Sequence, residues 1–69
     1  MPPARDIQPV FRALADPTRR AIISMLADGD RSVAEIAASF DMTRPAVAKH
    51  LAILKEGALI SVEIGRAHV

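Results

Sequence analysis

Arg44 and Lys49 are the side chains of this chain whose type and setting best fit work on a charged ligand. They stand in the run Thr43-Arg44-Pro45-Ala46-Val47-Ala48-Lys49-His50, where mostly small residues separate the two cations. A guanidinium can donate a bidentate pair of hydrogen bonds to guanine O6 and N7, and either cation can neutralise a phosphate. The small residues between them would let a helix backbone sit deep in a groove. Thr43 and Ser32 are hydroxyl residues of the kind that cap a helix first and touch phosphate second, because the N-terminus of a helix suits an anion. His50 has no His or Cys partner at ligand spacing, so it reads as a packed or phosphate-touching imidazole rather than a metal ligand. Nothing in the chain reads as catalytic. It lacks a nucleophile elbow, a glycine-rich phosphate loop and paired His ligands. With no Tyr or Trp it also lacks stacking platforms for single-stranded nucleic acid. No enzyme activity, metal or cofactor is expected.

Two capping signals position these residues. Ser32-Val33-Ala34-Glu35 is a capping box, opening a short helix over about 33–39 with Val33, Ile36 and Ala37 inward. Phe40 and Met42 flank the corner that follows and should plug the gap between helices. Thr43 caps the next helix, with Pro45 in its first turn. Val47, Leu51 and Leu54 make the inward stripe of that helix. Pro45, Lys49, Ala52 and Glu56 lie opposite, with Ala46 and Ala48 at the flanks. A short capped helix, a tight corner and a second helix with a basic outer face form a helix-turn-helix, whose second helix enters the major groove of DNA.

Two further helices precede this unit. Asp6 can cap the first, with Pro9 as its third helical residue and Ile7, Val10, Phe11 and Leu14 as an apolar stripe. Asp16-Pro17 starts the second, over 17–27, with an N-cap carboxylate and a proline whose φ is already set. Ile22, Ile23, Met25 and Leu26 form its apolar face, and Gly29 stands just past its end. Arg19 and Arg20 are expected to pair with acidic residues of the same domain. Residues 59–64 read as a strand, Gly65-Arg66 as a turn, and only three residues follow.

Sixty-nine residues make one domain, expected over 6–69 after a flexible N-terminus at 1–5. The chain has no cysteine, which excludes a disulfide and a thiolate metal site. Its apolar share of 51% comes mainly from Ala, Ile, Leu and Val, and Phe11 and Phe40 are its only aromatics, a balance that favours a helical domain. The net charge of +1 is unevenly placed. Residues 1–42 carry five Arg against six acidic residues, whereas 43–69 carry Arg44, Lys49, Lys55 and Arg66 against Glu56 and Glu63. The positive excess therefore falls on the proposed reading helix and beyond it. No secretory signal and no membrane span is evident, so a cytoplasmic location is expected.

Ala13-Leu-Ala-Asp-Pro-Thr-Arg-Arg-Ala-Ile-Ile23 and Pro45-Ala-Val-Ala-Lys-His-Leu51, at this separation, resemble the two signatures of the ArsR/SmtB family of winged helix-turn-helix regulators. The resemblance covers roughly residues 8–66. It implies a mainly α fold of four helices followed by a β-hairpin wing, here incomplete. It also implies a sequence-specific duplex DNA-binding transcriptional regulator, a repressor, acting as a homodimer. Arg66 resembles a wing-tip arginine that would meet phosphate or the minor groove. The resemblance suggests a site made of Ser32, Thr43, Arg44, Pro45, Ala46, Lys49, His50 and Arg66, with dimer contacts from Ile7, Val10 and Leu14.

Three departures from the family pattern bear on function. The family's metal box has a Cys-Val-Cys-Asp pattern on the third helix, where this chain has Ser32, Val33, Ala34 and Glu35. No response to zinc, cadmium or arsenite is therefore expected. Many members carry Ser at the position of Ala48, so one hydroxyl contact is missing. The chain ends before a second wing strand and a C-terminal helix, and so resembles a truncated member whose dimer would be weak. Two alternatives stand beside the DNA reader: a winged helix that binds protein instead, or a regulatory fragment of a larger enzyme. Where members show Ala-Gly, this chain has Gly57-Ala58. The reading helix is expected to end at Gly57 with that residue at positive φ.

Overall fold

Three of the four helices begin at a residue whose side chain takes up a free backbone N–H, and these caps fix where they start. In the computed structural model, which describes residues 6–69, α1 spans Gln8–Leu14, α2 Pro17–Ala27, α3 Val33–Phe40 and α4 Arg44–Glu56. The Asp16 carboxylate accepts from the N–H of Arg19 at 3.0 Å, with Pro17 in the first turn of α2. The Ser32–Glu35 box is closed in both directions: Ser32 Oγ accepts from the Glu35 N–H at 3.0 Å, and the Ser32 N–H donates to Glu35 Oε1 at 2.8 Å. Thr43 Oγ1 accepts from the Ala46 N–H at 3.2 Å. Only α1 departs from its expected start. Ile7, already helical in its dihedrals, occupies the cap position, while the Asp6 carboxylate still accepts from the Gln8 N–H at 3.0 Å. The expected N-terminal segment 1–5 lies outside the described residues.

The corner between α3 and α4 is made by Asp41 at φ 52°, a left-handed conformation that a short polar side chain tolerates. The Met42 N–H then donates to Ala37 O at 2.9 Å. Phe40 and Met42 pack against the core beside this turn, as their spacing predicts. The core joins Ala13, Ile22, Leu26, Ile36, Ala37, Val47, Leu51, Leu54, Ile60 and Ala67.

The strands form one antiparallel sheet in the order β1-β3-β2, with β1 at Arg31–Ser32, β2 at Ser61–Glu63 and β3 at Arg66–His68. The expected strand over 59–64 is shorter, because Leu59 and Ile60 turn inward out of α4 and Ile60 is buried. The second wing strand, expected to be missing, is present: Ser61–Glu63 pairs with Arg66–His68, three residues each, so the turn falls on Ile64-Gly65 and not on the expected Gly65-Arg66, because Arg66 is drawn into β3. β3 is the central strand of the sheet, pairing with β2 on one edge and β1 on the other, and Ala67 is fully buried there. β1 was not visible in the sequence: two residues show no period, and they become a strand only where Arg66 and Ala67 come alongside.

Arg19 and Arg20 bind carbonyls, not the expected acidic residues. Arg19 Nε and Nη2 donate to Ala13 O at 3.0 Å and Arg12 O at 2.7 Å, and Arg20 Nη1 donates to Leu14 O at 2.6 Å. The last turn of α1 has carbonyls with no helical partner, and cations satisfy them while complementing the negative end of the helix.

The α4 terminus also differs from expectation. Gly57 sits at φ −77°, ψ 1°, and Ala58 holds the left-handed position at φ 58°. The Leu59 N–H donates to Leu54 O at 3.1 Å and the Ala58 N–H to Lys55 O at 2.9 Å, a Schellman closure with alanine where glycine is usual. Gly57 is required by space. A Cβ there would stand 2.9 Å from the Pro9 carbonyl oxygen and 3.2 Å from Ala13 Cβ. α1 therefore rests on the end of α4 through Pro9 and Ala13, and this docking turns its apolar stripe outward.

Candidate nucleic-acid interface

The two inward stripes of α3 and α4 fix which face of α4 meets solvent. Val47, Leu51 and Leu54 are buried, so Arg44, Pro45, Ala48, Lys49, Ala52 and Lys55 emerge on the opposite side and its margins. All six are exposed. Among the described residues the ion pairs are Arg12–Glu56 at 3.9 Å and Arg66–Glu35 at 3.8 Å, so Arg44, Lys49 and Lys55 carry no carboxylate partner. An exposed helix face with three uncompensated cations and three small residues presents positive potential without bulk.

The remaining predicted site residues fall into different settings. Thr43 is exposed at the start of α4, its hydroxyl engaged in the cap. Ala46 is half-buried, on the margin of the face. His50 is half-buried with its Nδ1 3.4 Å from Arg19 Nη1, so it lies between α4 and α2 rather than on the outer face. Ser32 is half-buried and its hydroxyl is committed to the α3 cap. Arg66 stands beside Glu35 as the first residue of β3, one position past the hairpin tip. The structure thus brings Arg44, Pro45 and Lys49 together on one face, with Thr43 at its edge. Ser32 and Arg66 group separately around the α3 N-terminus, where Gly65 O accepts from the Val33 N–H at 2.9 Å.

Two carboxylates in these caps are held below the usual range. For Asp16 the main cause is the Arg19 backbone N–H, with Arg19 and His50 charges adding to it against a desolvation penalty. For Glu35 it is the Ser32 backbone N–H, then the Ser32 hydroxyl, with the Arg66 and Arg31 charges behind them.

A cleft of about 240 Å³ runs along the other margin of α4, lined by Val33, Ala48, Leu51, Ala52, Lys55 and Val62. Its lining was not legible in the sequence, because it joins α3, α4 and β2. It places the wing strand β2 alongside the exposed face of α4. The prospective dimer contacts lie elsewhere: Ile7 and Leu14 are 55% and 37% exposed, Val10 is half-buried, and Phe11, which belongs with them, is 58% exposed. Among the described residues no cluster of three His, Cys, Asp or Glu could hold a metal ion, and no helix is long and apolar enough to cross a membrane.

Capped α3 and α4 about a left-handed corner, followed by a three-stranded sheet whose hairpin flanks α4, define a winged helix-turn-helix. The profile described as bacterial regulatory protein, arsR family, matches residues 16–62, and the chain belongs to that family. It is similar to the transcriptional repressor SdpR of Bacillus subtilis (strain 168), 44% identical over 52 residues, which cover 75% of this chain and 58% of that protein. It is also similar to the HTH-type transcriptional regulator Rv2034 of Mycobacterium tuberculosis (strain ATCC 25618 / H37Rv). There the identity is 48% over 50 residues, covering 72% of this chain and 47% of the relative. The crystal structure of an ArsR family transcriptional regulator superposes with a TM-score of 0.78 at 37% identity, covering 88% of this chain and 67% of that one. The chain spans about half the length of the curated relatives it matches.

Proposed function

We propose that this chain is the DNA-reading part of a transcriptional repressor, with α4 seated in the major groove of duplex DNA. The observation that carries this reading is the outward face of α4. Arg44 and Lys49 stand there unpaired among small residues, on a helix fixed by its Thr43 cap and its buried stripe. Arg44 reads a base edge and Lys49 meets phosphate. Thr43, Pro45 and Ala46 form the leading end that enters the groove, with His50 at its inner margin. The family relatives carry names of repressors and regulators, which supports the repressor assignment. Such a protein works in the cytoplasm and performs no catalysis. The exposed apolar face of α1, with Ile7, Val10, Phe11 and Leu14, serves as the contact between two copies. Two reading helices then meet half-sites about one helical turn apart.

Selection of bound duplexes from a random pool tests this reading and reports the site at once. The expected result is enrichment of a short half-site sequence, because association of this chain with a second copy is weak, with affinity falling steeply as salt rises. A pool that stays random, with binding insensitive to salt, overturns it.

A further inference from the structure

The cleft beside α4 owes its existence to two alanines. Ala48, Leu51, Ala52 and Lys55 recur at helical spacing, so they share one side of the helix. Leu51 is buried and makes the floor of the cleft, and half-buried Val33 and Val62 make its walls. Ala48 and Ala52 end at Cβ on the open side, and a longer side chain at either position would fill the space. The walls are fixed by the fold itself. Val33 follows the closed Ser32–Glu35 box and its N–H donates to Gly65 O at 2.9 Å, while Val62 is paired with Ala67 of β3.

The lining has the chemistry of one class of ligand. Five of its six residues are aliphatic, the sixth is Lys55, and none is acidic. Among the described residues Lys55 has no carboxylate within ion-pair distance, since Glu56 stands beside Arg12 and Glu35 beside Arg66. Small-molecule sites join an apolar surface to a few polar groups that fix orientation. A volume of about 240 Å³ equals that of about eight waters, below the range of drug-sized pockets and enough for a short hydrocarbon chain. An aliphatic tail would lie on Leu51 between Val33 and Val62, and a carboxylate at its end would meet the Lys55 ammonium.

We propose that this cleft binds a short aliphatic monocarboxylate, and that the bound acid opposes DNA at α4. The site stands on the cleft alone, whereas its effect on DNA rests on the α4 reading and adds to it a means of regulation. Ala48, Ala52 and Lys55 belong both to the cleft lining and to the exposed face of α4. A bound acid therefore adds bulk beside the small residues and cancels one of the three uncompensated cations of that face. Both effects act against a polyanion.

The probes are butanoate, hexanoate, octanoate and the uncharged octanamide, added to the parent, Ala52→Leu and Lys55→Met, both of them changes at exposed positions. Methyl NMR shifts locate and measure binding, and fluorescence anisotropy with the duplex selected by the parent measures competition. Octanoate should move the Val33, Leu51 and Val62 methyls saturably. Each methylene removed from the acid should weaken binding by up to about fourfold, the equivalent of one buried CH2. Octanamide should bind up to about fivefold more weakly than octanoate, the range of an exposed charge pair. Lys55→Met should erase that preference, and Ala52→Leu, which fills the cleft, should abolish the shifts. Octanoate should also raise the Kd for the duplex over the same concentrations that move the methyls. If those methyls stay still while the parent binds duplex, the site falls and the α4 reading stands. If they move while the parent binds no duplex, the site stands and the α4 reading falls. If they move and duplex affinity is unchanged, the opposition to DNA is overturned. If octanamide binds as well as octanoate, or the shifts fall on the stripe of Ile7, Val10 and Leu14 instead, the proposed site is overturned.

Discussion

Gly57 on α4 lies against the backbone of Pro9 on α1 so closely that a Cβ would stand 2.9 Å from the Pro9 carbonyl oxygen. The carbonyl is backbone and cannot rotate away, so any side chain at 57 must push α1 off its seat. Gly57→Ala is predicted to destabilise the domain by about 1–3 kcal/mol, the usual cost of overpacking. Because Arg19 clamps the last turn of α1, the strain should also loosen that clamp. Chemical denaturation of the two forms checks this, and an unchanged midpoint would mean that α1 is free to move.

The neighbouring position predicts the opposite sign. Ala58 holds φ 58° in the Schellman closure of α4, where an L side chain costs about 1–2 kcal/mol. Ala58→Gly is expected to recover on the order of 1 kcal/mol, less the entropy that glycine adds to the unfolded chain. Ala58 is exposed, so no packing is lost. A fall in melting temperature for this variant would contradict the assigned backbone.

On the exposed face of α4 that we propose reads DNA, two substitutions should separate base reading from phosphate contact. Arg44→Ala is predicted to cost roughly 1–3 kcal/mol on the selected duplex and to relax one base position. Lys49→Ala should weaken binding to all duplexes alike and lower the salt slope by about one unit. Fluorescence anisotropy across a salt series measures both. If the two variants match the parent on specific and random duplexes, α4 is not the reading element.

Acid should weaken the caps. Asp16 and Glu35 have folded pKa values below their unfolded ones, chiefly through backbone N–H groups of Arg19 and Ser32. A depressed carboxylate contributes stability above its unfolded pKa, about 4, and loses it as pH falls through the folded value. Asp16→Ala and Glu35→Ala should therefore be less stable than the parent at pH 7, and the gap should close as pH is lowered below 4. Thermal unfolding at a series of pH values is the measurement. A gap that stays constant with pH would show that the carboxylate charge has no part in the caps.

Much of this fold was legible in the chain because its decisive signals are local. A Ser, Thr or Asp cap acts on an N–H three residues away, so the starts of α2, α3 and α4 could be read from Asp16, Ser32 and Thr43 alone. The buried stripe of Val47, Leu51 and Leu54 follows from the period of the helix, and with it the outward placement of Arg44 and Lys49.

Tertiary structure decided whatever depends on two distant segments meeting. Which side of α1 is buried was set by the small surface of Pro9, Ala13 and Gly57, so the more apolar stripe of Ile7, Phe11 and Leu14 turned outward. The same contact explains the glycine at 57, which is needed for space while Ala58 takes the left-handed turn. Arg19 and Arg20 found carbonyls in place of carboxylates because α1 ends beside them. β1 exists only through β3, and the exposure of Ile64 follows from a register set between strands. Caps and periods are interactions within one turn or two, whereas close approach, pairing and exposure belong to surfaces that no single segment possesses.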